Sequence, residues 1–510
     1  LPSGEASANC AMDYHSKSGP GPRLFTNTAS WATVQSAGSG IYEYEFATSN
    51  LVSINTETIA GAGSFSVSKS SLNMRPLRAL PAVGAGTQML YGGGALFSYD
   101  GQTVVENGFY EYPEVRSIIQ KARQSSLLSA GSYSYIFTYE YVDAKGNIHR
   151  SPTSPAVSIT VEAQSSISIR VYVDSITRKF GSVNLVAYRT EQGGSLFKKI
   201  SVTQIATFDS VVTIDDIGED SDVFAEAEAI YTTGGVLDDA QPGSITDIVL
   251  HKNRLILSTS SEFVRYSKPL AQLTAPGFPV PQFIVDIPGD IQNITGVESG
   301  VNFFVVFTKN DVFAVYGDGP NAVGQGGFSL PTSIGKGQGL PAASHHLNHA
   351  FGIFYISDRG LYLISPNGQI QYVGSQVEDS LTSAGTVINM SLFDYANEIR
   401  ILASQSNIAG SMRMFVFNTF FKQWSIWDIP NNASLPVFQT QVQDLSGVSS
   451  PETSHTILNL NGSITTQKTD YLDQPSATLS DIDLSVTLKK MHMAGLQGAQ
   501  RVYRGLLLYE

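Results

Sequence analysis

The chain has 510 residues, of which 42% are hydrophobic and only 15% charged, with a net charge of -13 at pH 7. That length suits two or three domains, or one repeat array carrying an insert. The acidic balance argues against a protein that grips nucleic acid over its whole surface, and Cys10, the single cysteine, excludes an intrachain disulfide and a multi-cysteine zinc site. A surface this poor in charge is often covered by partners, so an assembly subunit is expected. No apolar run reaches the roughly 20 residues of a membrane helix, so no membrane segment is expected. Residues 1–10 lack the basic start and apolar stretch of a signal peptide. The chain opens without Met and stops on the apolar strand 506–509, which points to processing or to a piece of a longer protein.

Taken in chain order, residues 1–112 read as the first blades of a β-propeller. The stretch to Gln35 is rich in Gly, Ser and Pro and matches no known pattern. A strand is expected at 41–46, ending near Ser49-Asn50, and another at 95–99, ending in Asp100-Gly101. Residues 113–130 read as a helical linker, because Val115, Ile118, Ile119 and Ala122 fall on one face of a helix over 113–128.

Residues 131–230 read as an inserted β-sandwich. Residues 131–141 largely alternate aromatic and smaller side chains, as a half-buried strand should. Asp143 to Asn147 is a turn, and Ser151-Pro152-Thr153-Ser154-Pro155 should break pairing, because proline cannot donate to a ladder. Further strands are expected at 157–161, 166–173, 183–189, 197–202 and 211–215. With no cysteine pair, a fibronectin type III-like module fits better than a disulfide-bridged immunoglobulin domain.

Residues 231–510 read as the remaining blades. One pattern recurs through both outer parts: a short strand with an aromatic or large apolar centre, a polar turn, then a second strand. It appears at 41–46, 95–99, 262–266, 311–316, 360–364, 413–417 and 456–460. Outside the insert the spacing is roughly 40–55 residues, close to one four-stranded blade, which gives about seven blades. Unrelated hairpins in a sandwich or barrel are the competing reading.

Several residues invite a chemical reading. His345, His346 and His349 cluster, with Asp358 nearby, but neighbours on a strand face opposite sides, so a loop is favoured over a metal site. The Gly-rich stretch 317–339 contains Gly335-Lys336. Leu330 stands where a P-loop needs its first glycine and Gly337 where it needs Ser or Thr, so a loop facing a channel or neighbouring subunit is expected. Asp215, Asp216, Glu219, Asp220 and Asp222 form an acidic run without calcium-loop spacing, read as a solvated sandwich end, and Asp238-Asp239 as a turn. Trp424 and Trp427 are expected to fill gaps between blades rather than to stack on sugars. No catalytic, metal or cofactor residue is assigned.

Some segments are familiar. Tyr133-Ser134-Tyr135, Asp143, Gly146 and Ser151-Pro152, then Ala187 to Thr190 with Gly193-Gly194 and Asp215-Asp216, resemble the sandwich inserted in tail nozzle or hub proteins of short-tailed bacteriophages. His251 to Leu255 with Val264 to Ser267, Phe304 to Lys309 with Val312-Phe313 and Gly317 to Pro320, Ser357 to Tyr362, Asn418 to Trp424 and Gln500 to Arg504 are similar to the blades that follow it. The resemblance covers most of the chain, but its motifs are degenerate strand-and-turn patterns. It implies a non-enzymatic virion protein: a ring, often a hexamer, joining the head-tail adaptor to distal tail or fibre proteins. Such a ring would retain and then conduct the genomic double-stranded DNA without sequence-specific binding. The competing functions are a glycan-binding or carbohydrate-active propeller and a cell-surface adhesion module.

Overall fold

The computed structural model describes residues 82–92, 95–122, 128–162, 165–174, 183–221, 228–230, 245–259, 263–279, 283–288, 294–321, 324–341, 345–384, 387–393, 397–404 and 412–429, positions 177, 179 and 242, and the backbone of short strands nearer either end. The chain is nearly all β, built from several antiparallel sheets with few helices. No helix among the described residues is long and apolar enough to cross a membrane.

The first sheet contains β1 (Cys10–Asp13), β2 (Arg23–Thr26), β3 (Tyr42–Glu45) and β4 (Asn50–Ser53). The second contains β5 (Ala82–Ala85), β6 (Gln88–Tyr91), β7 (Phe97–Tyr99) and β8 (Val104–Glu106). The insert then supplies β9 (Glu114–Ala122), β10 (Gly131–Val142), β11 (Ile148–Arg150), β12 (Val157–Val161), β13 (Ser165–Val173), β14 (Asn184–Arg189), β15 (Lys198–Gln204) and β16 (Ser210–Asp216). Meanders resume with β17 (Ile245–His251), β18 (Arg254–Thr259), β19 (Phe263–Tyr266) and β20 (Ile284–Asp286). Next come β21 (Ile294–Ser299), β22 (Phe303–Thr308), β23 (Asp311–Tyr316) and β24 (Thr332–Lys336). The following sheet holds β25 (His346–His349), β26 (Gly352–Ser357), β27 (Gly360–Ile364) and β28 (Ile370–Tyr372), trailed by the helix α1 (Glu378–Ser383). After it lie β29 (Val387–Phe393), β30 (Glu398–Ser404), β31 (Met412–Asn418) and β32 (Gln423–Ile429), then the three-stranded β33 (Pro436–Asp444), β34 (Glu452–Asn459) and β35 (Ile464–Thr466). Contacts divide the chain after Gln467, and the described part of the small second unit is the hairpin β36 (Leu472–Asp473) and β37 (Ser480–Asp481).

Every sheet outside the insert pairs its strands in sequence order. The recurring aromatic strand is the third strand in six of them: β3, β7, β19, β23, β27 and β31. Successive sheets meet through their first strands: β17 lies beside β5, then β21 beside β17, β25 beside β21, β29 beside β25 and β33 beside β29. These first strands run in the same direction, since the ends of β17, β21 and β25 meet. There His251 Nδ1 lies 2.8 Å from Ser299 Oγ, and Asn348 Nδ2 donates to the Ser299 carbonyl at 2.7 Å.

The cores lie between the sheets. On β22, Phe304 and Val306 face Ile256, Val264 and Tyr266 of the preceding sheet, while Phe303, Val305 and Phe307 face Ile353, Tyr355 and Ile364 of the next. A strand covered on both faces has no polar side, so it reads as an unbroken apolar run. Each such side chain contributes about 1.5–3 kcal/mol on burial.

The insert is built differently. One sheet runs β11-β10-β14-β15, with β12 also on β10; the other runs β16-β13-β9. Tyr133, Tyr135, Phe137, Tyr139 and Tyr141 of β10 pack against Ile167, Ile169, Val171 and Val173 of β13 in one shared core.

Two expectations change here. The helix over 113–128 is instead the edge strand β9, paired antiparallel with β13. A β-bulge beside Arg170 and Val171 leaves Arg116 as the extra residue, so Val115 and Ile118 both oppose core residues of β13. Their spacing of three therefore mimics a helix face. The proline-containing segment after β11 does not leave β10 unpaired either. The Ser151 and Ser154 N–H groups donate to the Tyr139 and Phe137 carbonyls (3.0 and 2.8 Å), and their hydroxyls accept from the N–H groups of the same two residues (2.8 and 3.0 Å).

Candidate functional site

Among the described residues, three clusters of buried charge tie separate elements together. The first is where the insert meets the sheet before it. Lys179 Nζ sits 3.0 Å from Glu106 Oε1, with both side chains fully buried. It also donates to the carbonyls of Glu106 (2.6 Å) and Gly108, over the Phe109 ring at 4.5 Å. Burial pushes Lys179 down to about 8, and Glu106 offsets only part of that. Beside it, the β10–β11 turn reaches β6. Gln88 donates to Asp143 at 2.6 Å and Asn147 at 2.8 Å, with His149 facing the same carboxylate at 3.7 Å. Burial pushes His149 down, against the opposing pull of Asp143. Burial works against the Asp143 charge too, but the donors around it win and hold it below the usual carboxylate range. On the other side, Ile148 of β11 exchanges backbone bonds with the loop of the following sheet: its N–H donates to Leu273 and its carbonyl accepts from Ala275, both at 3.0 Å. The insert is thus held by both sheets that flank it in sequence.

The second place corrects the reading of the acidic run at Asp216 and Asp220; Asp215 and Glu219 are exposed as expected, and Asp222 lies outside the described residues. Asp216 is buried, and Arg189 donates to Asp216 and Asp220 at 2.7 Å each, while Tyr135 donates to Asp216 at 2.7 Å. The guanidinium supplies the positive charge inside the chain itself. Asp238-Asp239 lies outside the described residues.

The third place spans three first strands. His346 of β25 donates through Nε2 to Asp247 of β17 at 2.7 Å and through Nδ1 to Glu298 of β21 at 3.0 Å. Both ring nitrogens can donate only in the protonated imidazole. Burial alone would push His346 down; Asp247, and then Glu298, outweigh it and hold it up at about 10. Asp247 also accepts from the Val297 N–H at 2.9 Å. Gly296 makes this approach possible, because a Cβ there would stand 3.1 Å from both Asp247 Oδ2 and His346 Nε2. Across its own sheet His346 begins a rung of opposed residues, His346, Tyr355, Tyr362 and Tyr372, which ends where Tyr372 donates to Glu378 at 2.7 Å.

The histidine group does not converge. His346 lies on a strand rather than a loop; His345 points the other way, with Nε2 3.1 Å from the Val387 carbonyl; His349 sits at a turn beside Phe351, at the other end of β25; and Asp358, in the β26–β27 turn, lies at the opposite end of the sheet from His349. Gly335 lies on β24 rather than in a phosphate-binding loop, beside the far end of the Ile370 side chain. The loop 317–331 is anchored by Phe328, whose ring meets Tyr266 and Phe304 edge-on at 4.9 and 5.2 Å, and by Asp318, which accepts from Lys252. Trp424 bridges two sheets, donating to the Val373 carbonyl at 3.3 Å, and Trp427 lies under Arg400 at 4.7 Å.

In an in-order meander the turns after the first and third strands fall at one end. This turn end carries the most exposed large apolar side chains among the described residues: Leu273, Val301, Leu330, Phe420 and Phe421, with Phe351 beside them. A groove of about 170 Å³ opens there between two sheets, with Val301, Phe303, Ile353, Ile364 and His349 in its wall. Sequence reasoning missed the first-strand cluster. A signal was present: Ile245-Thr246 and Ile294-Thr295 occupy the same place in successive sheets, each before a bulge, and each Thr hydroxyl donates to a second-strand carbonyl (3.3 and 3.2 Å).

No known protein-family profile matches this chain, and no curated protein does. Among solved structures it is similar to Saccharomyces cerevisiae Sqt1 (9% identity, 70% of this chain, 99% of that one, TM-score 0.30). It is also similar to the N-terminal domain of Nup159 (10% identity, 56% and 71%, TM-score 0.27) and to the extracellular domain of the putative hybrid two-component system BT4673 from B. thetaiotaomicron (10% identity, 87% and 64%, TM-score 0.27). The architecture is therefore read from strand order and register within the chain itself.

Proposed function

We propose that this chain is a structural, non-enzymatic virion protein: a β-propeller of about seven blades with an inserted fibronectin III-like sandwich, forming a ring in a phage tail. The ring joins the head-tail adaptor to distal tail or fibre proteins, and retains and then conducts genomic DNA. One observation carries the reading. In-order sheets joined by their first strands hold an insert clamped on both sides, and the buried charges bind elements to one another. Joins of this kind, in which removing one buried partner is costly, suit a scaffold more than a catalytic cleft. The net charge of -13 suits a wall past which DNA slides, because like charges repel.

Native mass spectrometry and negative-stain imaging of the chain, alone and with the adaptor and tail proteins of its source, test this directly. A closed ring with a central hole is the expected outcome. A single copy that ignores those partners sinks the reading, and a strongly basic lumen removes the sliding mechanism.

The second reading is a glycan-binding propeller, favoured by the exposed aromatic side chains of Phe351, Phe420 and Phe421 at one end. It also needs carboxylates there, and the one in the loop 317–331, Asp318, is held by Lys252 at 2.5 Å. A glycan array showing specific binding lost on Phe420→Ala would move this reading to first place.

A further inference from the structure

We infer that the turn end is a self-association face, on which two copies of this chain meet about a two-fold axis. This goes beyond the ring reading and does not depend on it.

Phe420 and Phe421 stand at the tip of the β31–β32 hairpin, 71% and 66% exposed, with their rings perpendicular and 5.0 Å apart. The tip is built to present them: both backbone N–H groups donate to Asn418 Oδ1, at 3.1 and 2.9 Å. They form an apolar knob held on a closed turn. The matching hole is the groove two sheets away, rimmed by the exposed Val301 and floored by Phe303, Ile353 and Ile364, each 2% exposed or less. Its volume of about 170 Å³ compares with the roughly 150 Å³ of a protein cavity that holds one benzene ring.

Knob and hole open at the same end of the sheets. A copy placed alongside cannot bring one to the other, but a copy placed face to face can. A two-fold axis lying in that face, midway between them, seats each knob in the other copy's hole, so every contact is made twice. The exposed parts of Val301, Leu330, Phe351, Phe420 and Phe421 amount to on the order of 600 Å², near the roughly 800 Å² that each partner contributes to a standard interface. Charge permits it. The chain carries -13 overall, yet among the described, solvent-facing residues of these turns Asp318 is paired with Lys252, and Lys268 and Lys422 add positive charge.

Sedimentation of the full chain over concentrations from about 0.1 to about 100 µM, a span that brackets a micromolar Kd, tests the pairing. The unmodified chain passes from one copy to two. Phe420→Ser with Phe421→Ser, and separately Leu330→Asp, raise the dissociation constant about 30-fold or more, the effect of losing one interface hot spot. Both sites are solvent-exposed tips, so unchanged near-ultraviolet circular dichroism is the control for folding. In a Cys10→Ser background, mixing a Phe420→Cys chain with a Val301→Cys chain yields a disulfide between unlike copies. One copy at every concentration overturns the pairing, as does pairing that all these variants leave intact. Flotation with neutral phosphatidylcholine vesicles in the absence of pairing reassigns the face to lipid and also overturns it. Closed rings untouched by the variants keep the ring reading and remove this one; pairs without rings do the reverse.

Discussion

The insert and the sheets around it solve the same problem in different ways. The insert has two sheets with crossed strand order and buries one shared core between them. The array has in-order sheets, and each buries both faces against its neighbours. In the insert, strands far apart in sequence must meet before any core forms. In the array, each hairpin forms locally, and the cost is deferred to the joins between sheets. Charge follows that difference: the array's Asp247–His346–Glu298 cluster lies across the joins, and the insert's buried charges sit at its edges, where Arg189 closes its own end and Lys179 grips the preceding sheet.

The comparison breaks if the insert's grip is dispensable. Lys179→Met leaves Glu106 buried without its cation, and we expect a loss of about 3–5 kcal/mol, the usual effect of removing one partner of a buried pair. Urea unfolding of that variant measures it, and adding Glu106→Gln should recover most of the loss. A cost no greater than that of a surface change would mean the insert is held by its backbone contacts alone.

His346→Gln sharpens the other side, with an expected loss of about 3 kcal/mol at neutral pH because two carboxylates are left facing one neutral group. Its pH signature is distinctive. His346 is raised, so its contribution is complete below its ordinary 6.5 and is lost as pH climbs through about 10. His251 is depressed to about 4, first by burial and then by Lys252, so its contribution is complete above 6.5 and is lost as pH falls through about 4. Thermal midpoints across that range should fall on both sides for the unmodified chain. His346→Gln should flatten the alkaline side and spare the acid one.

Smaller effects probe the repeat. Thr295→Val should cost about 1 kcal/mol, one hydrogen bond, and Thr246→Val more, because its hydroxyl also lies 2.8 Å from Ser258 Oγ. Leu330→Ser, at a site 87% exposed, should stay within about 0.5 kcal/mol of the unmodified chain, so that any larger effect on self-association belongs to the interface.

Much of the fold was legible because it is local. The third strand of six of the sheets repeats as an aromatic-centred run followed by a polar turn, and β10 shows its alternation openly. β9 was misread because its bulge spaces core residues by three, and β11 was missed because three residues show no period. The charge clusters were illegible for another reason: Asp247, Glu298 and His346 sit on three separate strands, and Arg189 is remote from Asp216 in sequence, so none of these pairings has a local pattern. Asp216 and Asp220 read as solvated, like the exposed Asp215 and Glu219, because their cation lies elsewhere in the chain.

The insert leaves the chain after β8, yet β5 packs directly beside β17. During synthesis Leu90 and Leu96 must wait for Ile245, Leu255 and Leu257, their partners in the same core, until the whole insert has emerged. Closing so long a loop is an entropic cost that local hairpins avoid. An insert that folds first, on the ribosome, shortens the effective loop to the distance between its two anchored ends. The Lys179–Glu106 pair can then act as a latch that holds the gap at the right width before the later sheets arrive.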